Sequence, residues 1–216
     1  IINDISQNLD KDIDLIGFHG QTIFHNSEQK ISRQLGDGNL LSQITKKKVV
    51  NNFRINDLSN QGQGAPLTPI FHKLISRLIS SKYEINYPVN IINIGGITNI
   101  TSILDDKDVI SNNLYASDIG PGNCMIDEWI RKNTKKKFDE SGNTAKSGKV
   151  DELILNQAKE NFTIKNFNKS LDISDFDLSF VRGLSVEDGS ATITNFTAYL
   201  IAQGINHVAN ITKSNN

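Results

Sequence analysis

The amino-acid sequence predicts an α/β protein, and three observations carry that prediction. Segments rich in β-branched residues alternate with segments whose apolar residues recur every three or four positions, without an internal repeat or a low-complexity block. Residues 89–104, VNIINIGGITNITSIL, set two β-branched runs on either side of Gly95-Gly96, the pattern of a hairpin. Thr68 and Pro69 form an N-cap and first-turn pair, after which Ile70, Phe71, Leu74, Ile75, Leu78 and Ile79 follow at helical spacing and define an inward face.

From the N-terminal side, DIDLIGFHGQTIFHN (12–26) reads as two short strands around a tight turn at His19-Gly20. NLLSQITKK (39–47) reads as a helix, KVVNNF (48–53) as a buried strand, and the polar, Gly-rich RINDLSNQGQGAPL (54–67) as a loop. The Gly95-Gly96 connection suits a primed two-residue turn. It also uncovers backbone N–H groups beside Thr98 and Asn99, which fits either a plain hairpin or a phosphate loop.

In SDIGPGNCMIDEWI (117–130), Met125, Ile126, Trp129 and Ile130 share a helical face. Asn123 is placed to cap that helix, and Asp127 and Glu128 sit in its first turns, where the macrodipole favours acids. Asp118 then lies just outside the helix N-terminus across a Gly-Pro-Gly turn, near the surface, where donors and the dipole favour its ionised form. Such a carboxylate either hydrogen-bonds its own turn or serves as a general base. FDESGNTAKSGKV (138–150) reads as a Gly-punctuated loop, and Val150, Leu153, Ile154, Ala158 and Phe162 as the inner face of the next helix. Ser185 and Asp188 have capping-box spacing ahead of a last helix that turns Ile193, Phe196, Leu200 and Val208 inward and carries Gly204 for close packing.

Composition narrows the function. A formal net charge of -1 over 216 residues gives no electrostatic footprint for nucleic acid. The single cysteine, Cys124, cannot form an intrachain disulfide and fits a reducing cytoplasm. No apolar run reaches the roughly 18 residues of a membrane span, and His19, His25, His72 and His207 lack metal-ligand spacing. The chain opens on Ile1 and enters strand-like sequence almost at once, so it reads as part of something longer.

GFHGQT (17–22), FRINDLSNQGQGAPLTPIFH (53–72), NIGGITNIT (93–101), SDIGPGNCMIDEW (117–129) and FDESGNTAKSGKV (138–150), in this order and spacing, together resemble the anhydro-N-acetylmuramic acid kinase family from about Asp14 to Ala209. The resemblance implies an actin-like (ribonuclease H-like), two-lobed α/β sugar kinase fold, here incomplete, with residues 1–86 in the first lobe and 87–216 in the second. It implies ATP and Mg²⁺ as cofactors and a cytoplasmic enzyme of cell-wall recycling. Its reaction opens 1,6-anhydro-N-acetylmuramic acid with water and phosphorylates the released O6. The family's base aligns with Asp118. Gly95, Gly96, Thr98 and Asn99 resemble the second phosphate loop, with Gly120, Gly122 and Asn123 lining the same cleft. His19, Gln21, Arg54 and Asp57 resemble the sugar-side surface, where Arg54 suits the lactyl carboxylate as a bidentate partner. An ion pair between Arg54 and Asp57 that shapes the loop is the alternative. The partner implied is the small sugar, with neither nucleic acid nor membrane; the resemblance leaves room for a homodimer.

The family's N-terminal Gly-Thr-Ser-x-Asp-Gly loop and its C-terminal Gly-Gly-Gly segment are absent from these 216 residues, so the chain alone is expected to be inactive. NKSLDISDF (168–176) keeps only Lys169, Ser170 and Phe176 of a family Lys-Ser-Thr-Gly-Arg-Glu pattern and its trailing Phe. A non-catalytic sugar-binding relative and an actin-like scaffold remain as other readings.

Overall fold

The computed structural model describes residues 13–105, 113–162 and 171–214. Ile1, Lys169 and Ser170 lie outside them. Contacts divide the chain into two units, Ile1–Thr68 and Pro69–Asn216.

In the first unit the two strands read around His19-Gly20 form, but they join different partners. Strand β1 (Leu15–Gly17) pairs in parallel with β4 (Lys48–Val50), whereas β2 (Gln21–Asn26) pairs antiparallel with β3 (Ile31–Leu35). Gly20 makes the change of direction with φ +72, and a Cβ there would lie 2.4 Å from the Leu35 carbonyl oxygen, so only glycine fits the crossing. Helix α1 (Gly38–Thr45) begins where the Asp37 carboxylate accepts the N–H groups of Asn39 and Leu40 at 2.8 and 3.1 Å.

The next stretch departs from expectation. The strand read over 48–53 shrinks to three residues, and the stretch read as loop contains a helix, α2 (Phe53–Ser59). Asn52, at φ 57, turns the chain into α2, and the N–H groups of Asn60, Gln61 and Gly62 return to α2 carbonyls to close it. Tertiary closure thus overrides the Gly-rich composition that pointed to loop.

The second unit is built on an antiparallel sheet, β5-β6-β7, comprising β5 (Val89–Ile94), β6 (Ile97–Ile103) and β7 (Leu114–Pro121). The long helix α7 (Val186–Ser214) covers one face. Ile100, Ile119 and Val208 pack there, and the Cβ missing from Gly204 would lie 2.5 Å from both Cβ and O of Ile119, the close packing the sequence predicted. The next residue of β6, Thr101, turns to the other face, where its hydroxyl meets His72 Nδ1 at 2.9 Å from helix α3 (Pro69–Ser80).

Helix α3 forms as predicted but not with the predicted face inward. Lys73 and Ser76 are buried, while Ile70, Phe71, Leu74, Leu78 and Ile79 are exposed, Phe71 by 59 %. The strip of α3 that carries the His72 bond is the strip that meets the sheet, so the apolar stripe lies outside that contact.

The main core lies among α4 (Cys124–Asn133), α6 (Glu152–Asn161) and α7. Met125, Trp129, Leu155, Ile193, Phe196 and Leu200 fill it, and the rings of Phe162 and Phe180 stand edge-on to Phe196. Trp129 Nε1 donates to the Val186 carbonyl at 3.0 Å, satisfying its buried indole. Leu153, expected on the inner face of α6, is instead 80 % exposed, because Leu155 and Ala158 take the buried side. Short helix α5 (Asn143–Ser147) follows a 3₁₀ turn at Glu140–Gly142. The half of the capping box that forms is Asp188 N–H to Ser185 Oγ at 3.0 Å, while the Asp188 carboxylate accepts Lys149 N–H at 2.7 Å. Among the described residues no helix is long and apolar enough to cross a membrane.

Candidate active site

Asp118 belongs to β7 itself, since the strand continues through Gly120 and Pro121 instead of turning before them. Pairing brings the predicted residues together: Asn99 faces Asp118, Thr98 faces Gly120 and Ile97 faces Pro121, so Ile119 is an extra residue that bulges β7 next to Asp118. The Asp118 side chain is half-buried, and its Oδ2 accepts the N–H of Leu171 at 2.9 Å. Burial pushes its carboxyl above the ordinary 3.8, and the Leu171 N–H pulls it back only in part. This corrects the expectation that donors and dipole would favour ionisation: desolvation outweighs the single donor.

The helix N-terminus next to it is occupied by protein. Gly122 N–H and Cys124 N–H donate to the Gly96 carbonyl at 2.9 and 3.3 Å, and Asn123 N–H donates to the Gly95 carbonyl at 2.8 Å. Asn123 stands at the N-cap of α4, yet its side chain makes no capping bond: its backbone is already helical, at φ -86 and ψ -4, and not in the extended conformation from which a side chain caps. The primed turn expected at Gly95-Gly96 is also replaced: positive-φ glycines occur at 20, 36, 64, 142 and 183, not at either of these. Docking on α4, rather than local turn chemistry, fixes the hairpin tip. Gly122 is essential to that docking, as a Cβ there would sit 1.9 Å from Gly95 O. At Gly96, by contrast, a Cβ would meet no atom within 4 Å, leaving this backbone open to solvent. Thr98 is fully buried and its hydroxyl donates to the Pro121 carbonyl at 2.9 Å, so its side chain braces β6 against β7.

Asn123 also lines a cavity of about 750 Å³, together with Ile126, Asp127, Phe138, Lys146 and Asn195. Burial raises the Asp127 carboxyl, opposed by Arg131, and Lys146 Nζ donates to Ser141 O at 3.0 Å. Burial alone would raise the Asp139 carboxyl as well, but the N–H groups of Ala145 and Thr144, at 2.9 and 2.8 Å, reverse this and hold it below the ordinary range. Sequence reasoning passed over this cavity. Its signal was the run of small or polar residues Ala191, Thr194, Asn195 and Ala198, one face of α7 at helical spacing.

The first unit holds the other predicted group. Arg54 Nε donates to His19 Nε2 at 3.1 Å, and His19 Nδ1 meets the Gly20 carbonyl at 2.9 Å, which together require the Nδ1–H tautomer. Asp57 Oδ2 accepts Gly64 N–H at 2.7 Å, and Gly62 lies so close to this carboxylate that a Cβ would reach 2.1 Å from it. Asp57 therefore shapes the 62–64 loop through the backbone and not through an ion pair with Arg54. Burial lowers the Arg54 guanidinium from its ordinary value. His25 sits nearby with both ring nitrogens buried, and burial, followed by the Arg54 charge, lowers its imidazole against the opposing pull of the Gln63 backbone. Gln21 is exposed at the start of β2, with its amide 3.4 Å from the Thr22 carbonyl.

A family model described as anhydro-N-acetylmuramic acid kinase matches residues 3–214. A protein of that name from Pelagibacter ubique is 52 % identical over 207 residues, covering 95 % of this chain and 53 % of the relative. One from Zymomonas mobilis is 43 % identical over 194 residues, covering 89 % of this chain and 50 % of the relative, and one from Methylobacterium nodulans is 42 % identical over 195 residues, covering 90 % and 50 %. The chain spans about half the length of these curated relatives.

Proposed function

The chain belongs to the anhydro-N-acetylmuramic acid kinase family, and from that premise we propose that the whole protein opens 1,6-anhydro-N-acetylmuramic acid with water and phosphorylates the freed O6. It does so on an actin-like, two-lobed frame in the cytoplasm, with residues 1–86 and 87–216 contributing to the two lobes. The observation that carries the reading is the position of Asp118: a half-buried carboxylate with one oxygen engaged by an amide, on the strand paired with the Gly96–Asn99 segment.

In this reading Asp118 takes a proton from the water whose oxygen bonds to C1 of the sugar. The C1–O6 bond breaks, its electron pair stays on O6, and O6 attacks the γ-phosphoryl group as the bond from that phosphorus to the β-phosphate oxygen breaks and ADP leaves. ATP supplies that group, with Mg²⁺ to neutralise its charge. The open backbone at Gly96 admits phosphate and Thr98 braces that loop, while the Gly122 and Asn123 amides hold the hairpin tip in place from behind and Asn99 and Gly120 flank it. His19, Gln21, Arg54 and Asp57 serve the sugar, with the Arg54 guanidinium directed to the lactyl carboxylate.

Coupling of ring opening to phosphoryl transfer is tested by following ADP release from the whole protein on two sugars. The 1,6-anhydro sugar is turned over rapidly and the opened reducing sugar poorly; equal rates on both would overturn the coupled mechanism.

A further inference from the structure

Asp118 is engaged from a distant part of the chain. Its partner, Leu171, lies 53 residues on. The residues after it are firmly fixed. Asp172 N–H donates to Asp175 Oδ2 at 2.7 Å, and Asp172 Oδ1 accepts both the N–H and the hydroxyl of Ser174, at 3.0 and 2.8 Å. Phe176 is buried and stacks on Phe162 with ring centroids 5.9 Å apart, and Leu171 itself packs on the core. The amide at 171 is therefore held in place over β7 by its own loop.

We propose that the Leu171 N–H is a positioning group for the candidate base: it locks Oδ2 of Asp118 so that Oδ1 is the oxygen presented to water. This deepens the kinase reading and rests on it for the role of Oδ1, though not for the contact. Because the donor is main chain, its function does not depend on which side chain occupies 171.

Among the described residues, the Leu171 amide is the group seen to engage the carboxylate. Strand β6 places the uncharged Asn99 opposite it, and α7 sets Gly204 and Leu200 against the neighbouring Ile119 and Gly120. Among the described residues, burial raises its carboxyl and the Leu171 N–H opposes this. A carboxylate with one oxygen engaged by a fixed donor is restrained in rotation and keeps its other oxygen to accept from water, and general-base catalysis requires that alignment.

The test has two arms in the whole protein. In the first, the Leu171 amide proton and the Asp118 carboxyl carbon are followed by NMR through an acid titration. The two resonances move with one midpoint, and the amide stops titrating in Asp118→Asn; an amide that does not sense the carboxyl overturns the contact, whatever the activity of the protein. In the second, Leu171→Pro, which removes the donor, is compared with Leu171→Ala, which keeps it. Turnover of the anhydro sugar falls about tenfold in the Pro variant, in line with loss of one hydrogen bond to a charged group. The acid limb of its pH–rate profile also moves to higher pH, while the Ala variant keeps the wild-type limb. Equal loss in both variants with no movement of the limb reduces Leu171 to packing and overturns the proposal. Should the Pro variant fail to fold, the amide titration of the wild type decides alone.

Discussion

Two glycines at the hairpin separate stability from binding, and Gly122→Ala is the sharper perturbation. The added Cβ would lie 1.9 Å from the Gly95 carbonyl oxygen, 2.9 Å from its carbon and 3.3 Å from its nitrogen. These are backbone atoms, so no side-chain rotation relieves the clash and the hairpin must move off α4. That motion breaks three main-chain hydrogen bonds, from Gly122 and Cys124 to Gly96 and from Asn123 to Gly95. At about 1 kcal/mol net for each bond the loss is about 3 kcal/mol. For a protein of 150 residues or more this corresponds to a fall in Tm of roughly 6–12 °C. Gly96→Ala is the control, since its Cβ enters open space and its φ is not positive. It should leave stability within about 0.5 kcal/mol of wild type while weakening ATP by about tenfold if, as proposed, phosphate approaches over this backbone, because the added methyl group would stand there. Thermal unfolding and titration calorimetry on both variants read the two effects. A Gly122→Ala protein with the wild-type Tm, or a Gly96→Ala protein equally destabilised, would refute the docking argument.

Arg54→Lys should raise KM for the anhydro sugar with little change in kcat, because a point charge replaces a planar fork whose Nε is already oriented by His19; an unchanged KM would leave Arg54 with a loop-shaping role. Asp139→Ala removes the acceptor for Thr144 and Ala145 N–H and should cost about 1 kcal/mol near neutral pH. The folded carboxyl lies below its ordinary value, so this stabilisation is present above the ordinary carboxylate range and is lost as pH falls through the folded value. Denaturation curves of wild type and variant should therefore diverge at neutral pH and converge in acid; a constant gap would contradict the assignment.

What was legible in the sequence was what short-range pattern determines. The β5-β6 hairpin, the helix after Gly122 and the inward face of α7 follow from periodicity within a few turns, and even Gly204 could be read as a close contact. What was not legible depends on partners far along the chain. The bulge at Ile119 arises from pairing with β6, and the orientation of α3 is set by His72 reaching Thr101, 29 residues away. The docking of Gly95 and Gly96 on α4 replaced the primed turn that local chemistry favoured, and the burial of Asp118 reversed the expected direction of its titration. At the site, the motifs identified which residues gather around the hairpin and β7, but the contact with Leu171 came from a segment 53 residues along the chain that no local pattern pointed to.

The claim on which the account turns is that Asp118 is the base, and Asp118→Asn in the whole protein tests it most directly. The amide retains the size of the side chain and an oxygen to accept the Leu171 N–H, but it cannot take a proton from water. Turnover of 1,6-anhydro-N-acetylmuramic acid should fall by about 10²–10⁴-fold, with sugar binding by calorimetry and Tm close to wild type. Wild-type turnover in this variant would remove Asp118 from the mechanism.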